Sequence, residues 1–175
     1  MFPVILGVIA LAATYKLFKL TSLLYLLILL PSFVLLVGGH YTCAEVPLFN
    51  EMKAVFGFER NNFDKLGHFM QGFVPAMIAR EIIIRRGIIN GRHWRNFFII
   101  CFCLALSALY ELLEWWVALV SAEAAEAFLG MQGYEWDTQS DMAYALIGAS
   151  AALMLLSRVH DRQLKLYPAD AGADE

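Results

Sequence analysis

The chain has 175 residues, 60% of them hydrophobic and 17% charged, with a mean hydropathy of +0.60. That balance lies far outside a soluble globular domain and marks a membrane protein. The net charge of −3 averages the two sides of a bilayer, and no nucleic-acid partner is expected. The three cysteines, Cys43, Cys101 and Cys103, have neither zinc spacing nor the pattern of a disulfide framework.

Five apolar runs follow one another, at about 2–15, 20–38, 66–84, 96–120 and 140–157. A hydrocarbon core of about 30 Å needs about 20 helical residues, so runs two to five reach across it and run one is short. Run one opens abruptly at Pro3 and lacks the basic flank of a signal peptide. The expectation is an all-α, polytopic transmembrane bundle over residues 1–160 with five visible spans; an additional upstream helix would make six. A disordered cytoplasmic tail, small and acidic at its end, is expected over 161–175. Pro31 and Pro75 fall inside spans, where neighbouring helices can satisfy the freed carbonyls.

Sorting the charges orients the bundle. Lys16, Lys19, Arg80, Arg85, Arg86, Arg92, Arg95, Arg158, Arg162 and Lys165 gather at one end, ten of the thirteen basic residues, and mark it as cytoplasmic. Most of the acids gather at the other end, including those of the Lys- and Arg-free stretch 120–139. The C-terminus is then cytoplasmic, in a bacterial inner membrane. Trp115, Trp116 and Trp136 fall at the outer boundary and Trp94 at the inner one, as interfacial anchors do.

Four runs carry ionisable residues at the same outer end. His40 closes run two, Asp64 and His68 open run three, Glu111 and Glu114 lie in the outer third of run four, and Asp137 and Asp141 open run five. Asp64 and His68 stand four residues apart, on one helix face and about 6 Å apart along the axis. Asp137 is suited to capping the last helix, whereas Asp141 lies one turn too deep for that. Charge at membrane depth costs several kcal/mol unless it is paired or solvated, so a polar cavity open to the outside is expected. His93 and His160, at the opposite boundary, read as solvated. The segment 38–47 is too polar to span and too apolar for a free linker; it reads as a lid over the cavity. Arg60 beside it is suited to an anion or to pairing with an acid, and pairing is favoured.

Two readings of the cluster stand open. In one, Glu111 pairs with His68 or Lys65 and only locks helices together. In the other, His40, Asp64, His68 and Asp141 are candidate metal ligands and Glu111 and Glu114 candidate catalytic carboxylates. A divalent ion such as Zn or Mn suits carboxylates with one or two imidazoles. Four histidines and no Glu-x-x-His motif argue against a di-iron site.

Four ordered blocks resemble the YjdF family of uncharacterised bacterial inner-membrane proteins. They are Gly39-His40-Tyr41-Thr42 with Glu45-Val46-Pro47; Arg60-Asn61 with Asp64 and His68-Phe69; Ala108 to Trp115; and Gly133 with Trp136 to Gln139 and Asp141-Met142. Cys43 stands where this resemblance leads one to expect tyrosine. The reduced pattern of Asp-Lys-x-x-His, then Glu, then Asp before a small-residue helix also resembles the VanZ-like family, although Ala145 and Leu146 occupy the place of that family's later asparagine. The resemblance implies fold and location and no mechanism. A membrane enzyme acting on a lipid or envelope precursor is one expectation; a proton- or cation-coupled transporter, or an accessory membrane protein, are the others. The inner halves of runs three to five offer few polar residues, which favours a one-sided site over a conduit.

Overall fold

The computed structural model describes residues 2–120 and 134–167. The acidic stretch 121–133 and residues 168–175, the end of the expected tail, lie outside the described residues. The described elements are α1 (Phe2–Thr14), α2 (Ser22–Tyr41), a 3-10 turn (Cys43–Glu45), α3 (Pro47–Phe56), α4 (Phe63–Arg85), α5 (Arg92–Val120) and α6 (Asp137–Leu164), with no strand among the described residues. The last helix runs past residue 160, so 161–164 are helical where the sequence suggests the start of a tail.

Helices α2, α5 and α6 are long and apolar enough to cross a membrane. Helix α4 has 23 residues, about 35 Å at 1.5 Å per residue. Its apolar character is diluted by Asp64, Lys65, Arg80, Glu81 and Arg85, which cluster at its two ends. Helix α1, with 13 residues, is about 20 Å long.

Helix α4 is the central element, in contact with α2, α5 and α6 and packed most extensively on α6. Small residues make that seam. A Cβ placed on Gly72 would overlap the backbone carbonyl of Ala145, and one on Gly148 would overlap that of Phe69. Ala76, Ala145, Ala149 and Ala152 are fully buried beside them. Close backbone approach replaces the hydrophobic drive that helices lack in lipid. Leu24 from α2, Met77 from α4 and Ile99 and Cys103 from α5 complete the core. Large apolar residues turned outward, such as Leu29, Phe33, Phe102 and Leu155, face the surroundings. All four tryptophans are exposed, as anchors should be.

Helix α3 is not visible in the hydropathy pattern. Pro47 sits in its first turn, and Gly57 ends it in the left-handed region (φ 69°), its N–H donating to the Lys53 carbonyl. Leu48, Val55 and Phe56 are exposed on it, the character of an interfacial helix.

Candidate functional site

Asn61 sets up the start of α4. Fully buried, it donates from Nδ2 to the Val46 carbonyl (3.1 Å) and to Asn50 Oδ1 (2.8 Å), and its Oδ1 accepts from the Phe63 N–H (3.0 Å). The segment expected to act as a lid is thereby tied to the beginning of α4. Thr42, with φ 62°, turns the chain so that the Cys43 sulfur packs beside Gly38 and Phe63. Burial, and the nearby acids Asp64 and Glu114, push the Cys43 thiol up to about 11.

From that start α4 presents Asp64 and His68 on one face, as their spacing predicts. His68 Nε2 lies 3.4 Å from Asp64 Oδ1 and 3.8 Å from Asp141 Oδ2 on α6. On its other side, His68 Nδ1 lies 3.1 Å from Gln71 Oε1 and 3.7 Å from Glu111 Oε1 on α5. The Tyr110 ring stands edge-on to the imidazole, 5.8 Å between centroids. One ligand atom from each of Asp64, His68 and Asp141 falls within 4.8 Å of the others. His68, Glu111, Glu114, Asp137 and Asp141 are all buried.

Two cations border the cluster. Arg60 donates to Asp137 Oδ1 through Nη1 and lies 3.6 Å from Asp64 Oδ2 through Nη2, so the pairing favoured from sequence is realised. Lys65 Nζ donates to Ser140 Oγ (2.5 Å) and stands 3.7 Å from Asp141 Oδ1 and 3.9 Å from Asp137 Oδ1. Its ammonium also lies over the rings of Tyr134 and Tyr144, at 4.9 and 5.5 Å. Asp137 is therefore more than a cap: it anchors the start of α6 to Arg60.

Of the sequence candidates, Asp64, His68, Asp141 and Glu111 come together. Glu114 follows one turn along α5, buried and within the field of Glu111, His68, Asp64 and Asp141. His40 does not join them: it is exposed at the end of α2, its ring packed edge-on against Tyr41 at 4.6 Å. A helix end two residues from a chain reversal points its side chains outward, which the sequence pattern does not disclose. Gln71, absent from the candidates, was findable: at i+3 from His68 it must share its face.

Acidic groups outnumber basic ones here. Five carboxyl groups (Asp64, Asp137, Asp141, Glu111 and Glu114) face two fixed cations, Arg60 and Lys65, and the His68 ring. Two buried oxygens, Glu111 Oε1 and Asp141 Oδ1, accept no hydrogen bond among the described residues and instead face His68 Nδ1 and Lys65 Nζ, each at 3.7 Å; the Ser107 hydroxyl one turn below Glu111 has no partner there either. Unmet acceptors of this kind cost about 1–3 kcal/mol each, more when charged.

The opposite end differs. Glu81 Oε1 accepts from the Thr21 N–H and from Arg85 Nη1 (both 3.0 Å), and Oε2 accepts from Thr21 Oγ1 (2.8 Å) and His160 Nε2 (2.9 Å). Arg80 Nη1 donates to His160 Nδ1 (2.9 Å) and its Nη2 to Asp161 (2.6 Å). Since a guanidinium can only donate, the His160 proton sits on Nε2, aimed at Glu81. His160 is fully buried, which corrects the expectation that it is solvated: the turn of α6 that carries it faces α4. His93 is exposed, as expected.

The chain matches the family model described as "Predicted membrane protein (DUF2238)" over residues 1–162. It is 50% identical over 165 residues to "Inner membrane protein YjdF" of Escherichia coli (strain K12), an overlap covering 94% of this chain and 79% of that one. No solved structure matches it. The likeness to the VanZ-like family rests on the sequence pattern alone.

Proposed function

This chain belongs to the DUF2238 family of membrane proteins, and from that premise we propose that it is a cation-dependent inner-membrane enzyme whose site is the His68 cluster. The observation that carries the reading is the clustering of ligand groups: five carboxyl groups surround His68 with two fixed cations among them, and one ligand atom from each of Asp64, His68 and Asp141 falls within 4.8 Å of the others. Asp64, His68 and Asp141 would hold a divalent cation such as Zn or Mn through one nitrogen and two oxygens. Such an ion, when bound, supplies Lewis acidity and an activated water. Glu111, 3.7 Å from His68 and unmet at Oε1, is placed to take a proton from a water at the cluster, with Glu114 behind it. Gln71 holds the His68 ring in orientation through Nδ1.

The relative's description as an inner membrane protein and the basic residues at the Arg85 end support a periplasmic site and a cytoplasmic C-terminus. Substrates at that surface are lipids and envelope precursors. Transport is the weaker reading: below the cluster, α4 and α6 meet at Gly72 and Gly148 with no room for a side chain, which argues against a conduit.

Elemental analysis of detergent-purified protein tests this. Near-stoichiometric Zn or Mn is expected in the parent and in Glu111→Gln, and is expected to be lost in His68→Ala and Asp141→Asn. No metal above background in folded, monodisperse parent protein after resupply would overturn the reading.

A further inference from the structure

An opening lies on the membrane side of the same site. Between α1, α2 and α4 there is a crevice of about 210 Å³, lined by Gly7 and Leu11 on α1, Pro31 and Leu35 on α2, and Gln71 and Pro75 on α4. Its length along α4, from Gln71 to Ile78, is about 10 Å. The walls are almost wholly hydrocarbon. Ser32 contributes a hydroxyl, but that hydroxyl donates to the Ile28 carbonyl (2.8 Å) within its own helix. Gln71 is the polar exception, and its Oε1 is the atom 3.1 Å from His68 Nδ1. The crevice therefore ends against the residue that orients the site's imidazole.

Its surroundings decide what fills it. Val8 on α1 and Leu35 on α2, which line it, are themselves exposed, so in a bilayer its mouth faces lipid. Water gains nothing there, because it needs two or more polar partners to enter a cavity. Hydrocarbon chains are at hand and match the walls. Gly7 leaves the space open: a Cβ added to it meets nothing within 4 Å.

We propose that this crevice binds one hydrocarbon chain of a membrane phospholipid, whose headgroup reaches the His68 cluster past Gln71. The chain-binding half stands on the crevice itself. The phosphate of the headgroup rests on the cation reading above, since a phosphate approaches five carboxyl groups only when a cation lies between, assisted by Arg60 and Lys65. The substrate class of the proposed enzyme is then a lipid phosphate presented from the outer leaflet.

Native mass spectrometry of protein released from mild detergent, with the released lipid identified, tests the proposal on four chains: parent, Gly7→Phe, Gly7→Leu and the lipid-facing control Leu29→Phe. The parent and Leu29→Phe should carry a phosphate-bearing lipid to similar occupancy, and both Gly7 variants should lose at least threefold of it while remaining monodisperse. Equal retention in a Gly7 variant and the parent overturns the proposal. So does a Gly7 variant that dissociates a parental dimer without losing lipid, which would assign the crevice to a second copy of the chain. Metal content of Gly7→Leu should equal the parent's, so a failed crevice and a failed cation site give different results.

Discussion

The two ends of α4 carry buried ionisable groups, six at the Asp64 end and four at the Arg85 end, and treat them in opposite ways. At the Arg85 end, Glu81 and Asp161 face Arg80 and Arg85, and both Glu81 oxygens and both His160 nitrogens have partners. At the Asp64 end, five carboxyl groups face two fixed cations, and buried oxygens stand without donors. A network in which each buried carboxylate oxygen and imidazole nitrogen has a partner does architectural work. Here it also caps α2, since Glu81 receives Thr21 and the Leu23 N–H donates to Gln163 Oε1 of α6 (2.9 Å), drawing three helices together. The other end, held by the same helix, gathers more carboxyl groups than cations, and the proposed function rests on that difference.

The comparison breaks most readily at Glu81. Glu81→Ala leaves His160, Arg85 and Thr21 without their acceptor, and removing one member of such a buried network is expected to cost about 3–5 kcal/mol. Unfolding in detergent with added denaturant would read it. Next comes the seam that fixes the distance between the two ends. Gly72→Ala forces a methyl group against the Ala145 carbonyl, a backbone atom that cannot swing aside; a loss of about 3 kcal/mol is expected, together with loss of bound metal, because α6 carries Asp141. Asn61→Ala removes three hydrogen bonds at the start of α4 and should cost about 1–3 kcal/mol by the same assay.

Cys43 offers a gentler probe of the acidic end. Its thiol holds its proton to about pH 11, above the ordinary value of about 8.5. The folded protein therefore keeps the proton when the unfolded chain has lost it, and the contribution to stability is full below about pH 8.5 and falls as pH rises toward 11. Maleimide labelling at pH 7.5 should run about a hundredfold slower than for a solvated cysteine. Labelling at the solvated rate would show that the acids and Gly38 do not enclose it.

Much of this was legible in the chain. The apolar runs located five of the six described helices, because hydrocarbon thickness fixes their length. The common end of the acids gathered Asp64, His68, Glu111 and Asp141 correctly, because antiparallel neighbours bring alternate helix ends together. Helix α3 escaped because it is short and half polar, and His40 misled because its helix turns outward where it stops. The Glu81–His160 network escaped for a different reason: whether a histidine near a membrane boundary is solvated or buried depends on the rotation of α6 about its axis, and that rotation is set by Gly148 meeting Phe69. No pattern within one helix encodes a partner's position.

The most direct test of the central contrast is a paired measurement of thermal unfolding for two isosteric neutralisations, Glu81→Gln and Asp141→Asn, in purified metal-free protein. The account predicts that Glu81→Gln lowers Tm markedly while Asp141→Asn leaves it unchanged or raises it, by up to about 1 kcal/mol in stability, because it removes one ionisable carboxyl from a buried surplus of them. A large drop for Asp141→Asn beside a neutral Glu81→Gln would make the acidic end the structural lock and contradict the account.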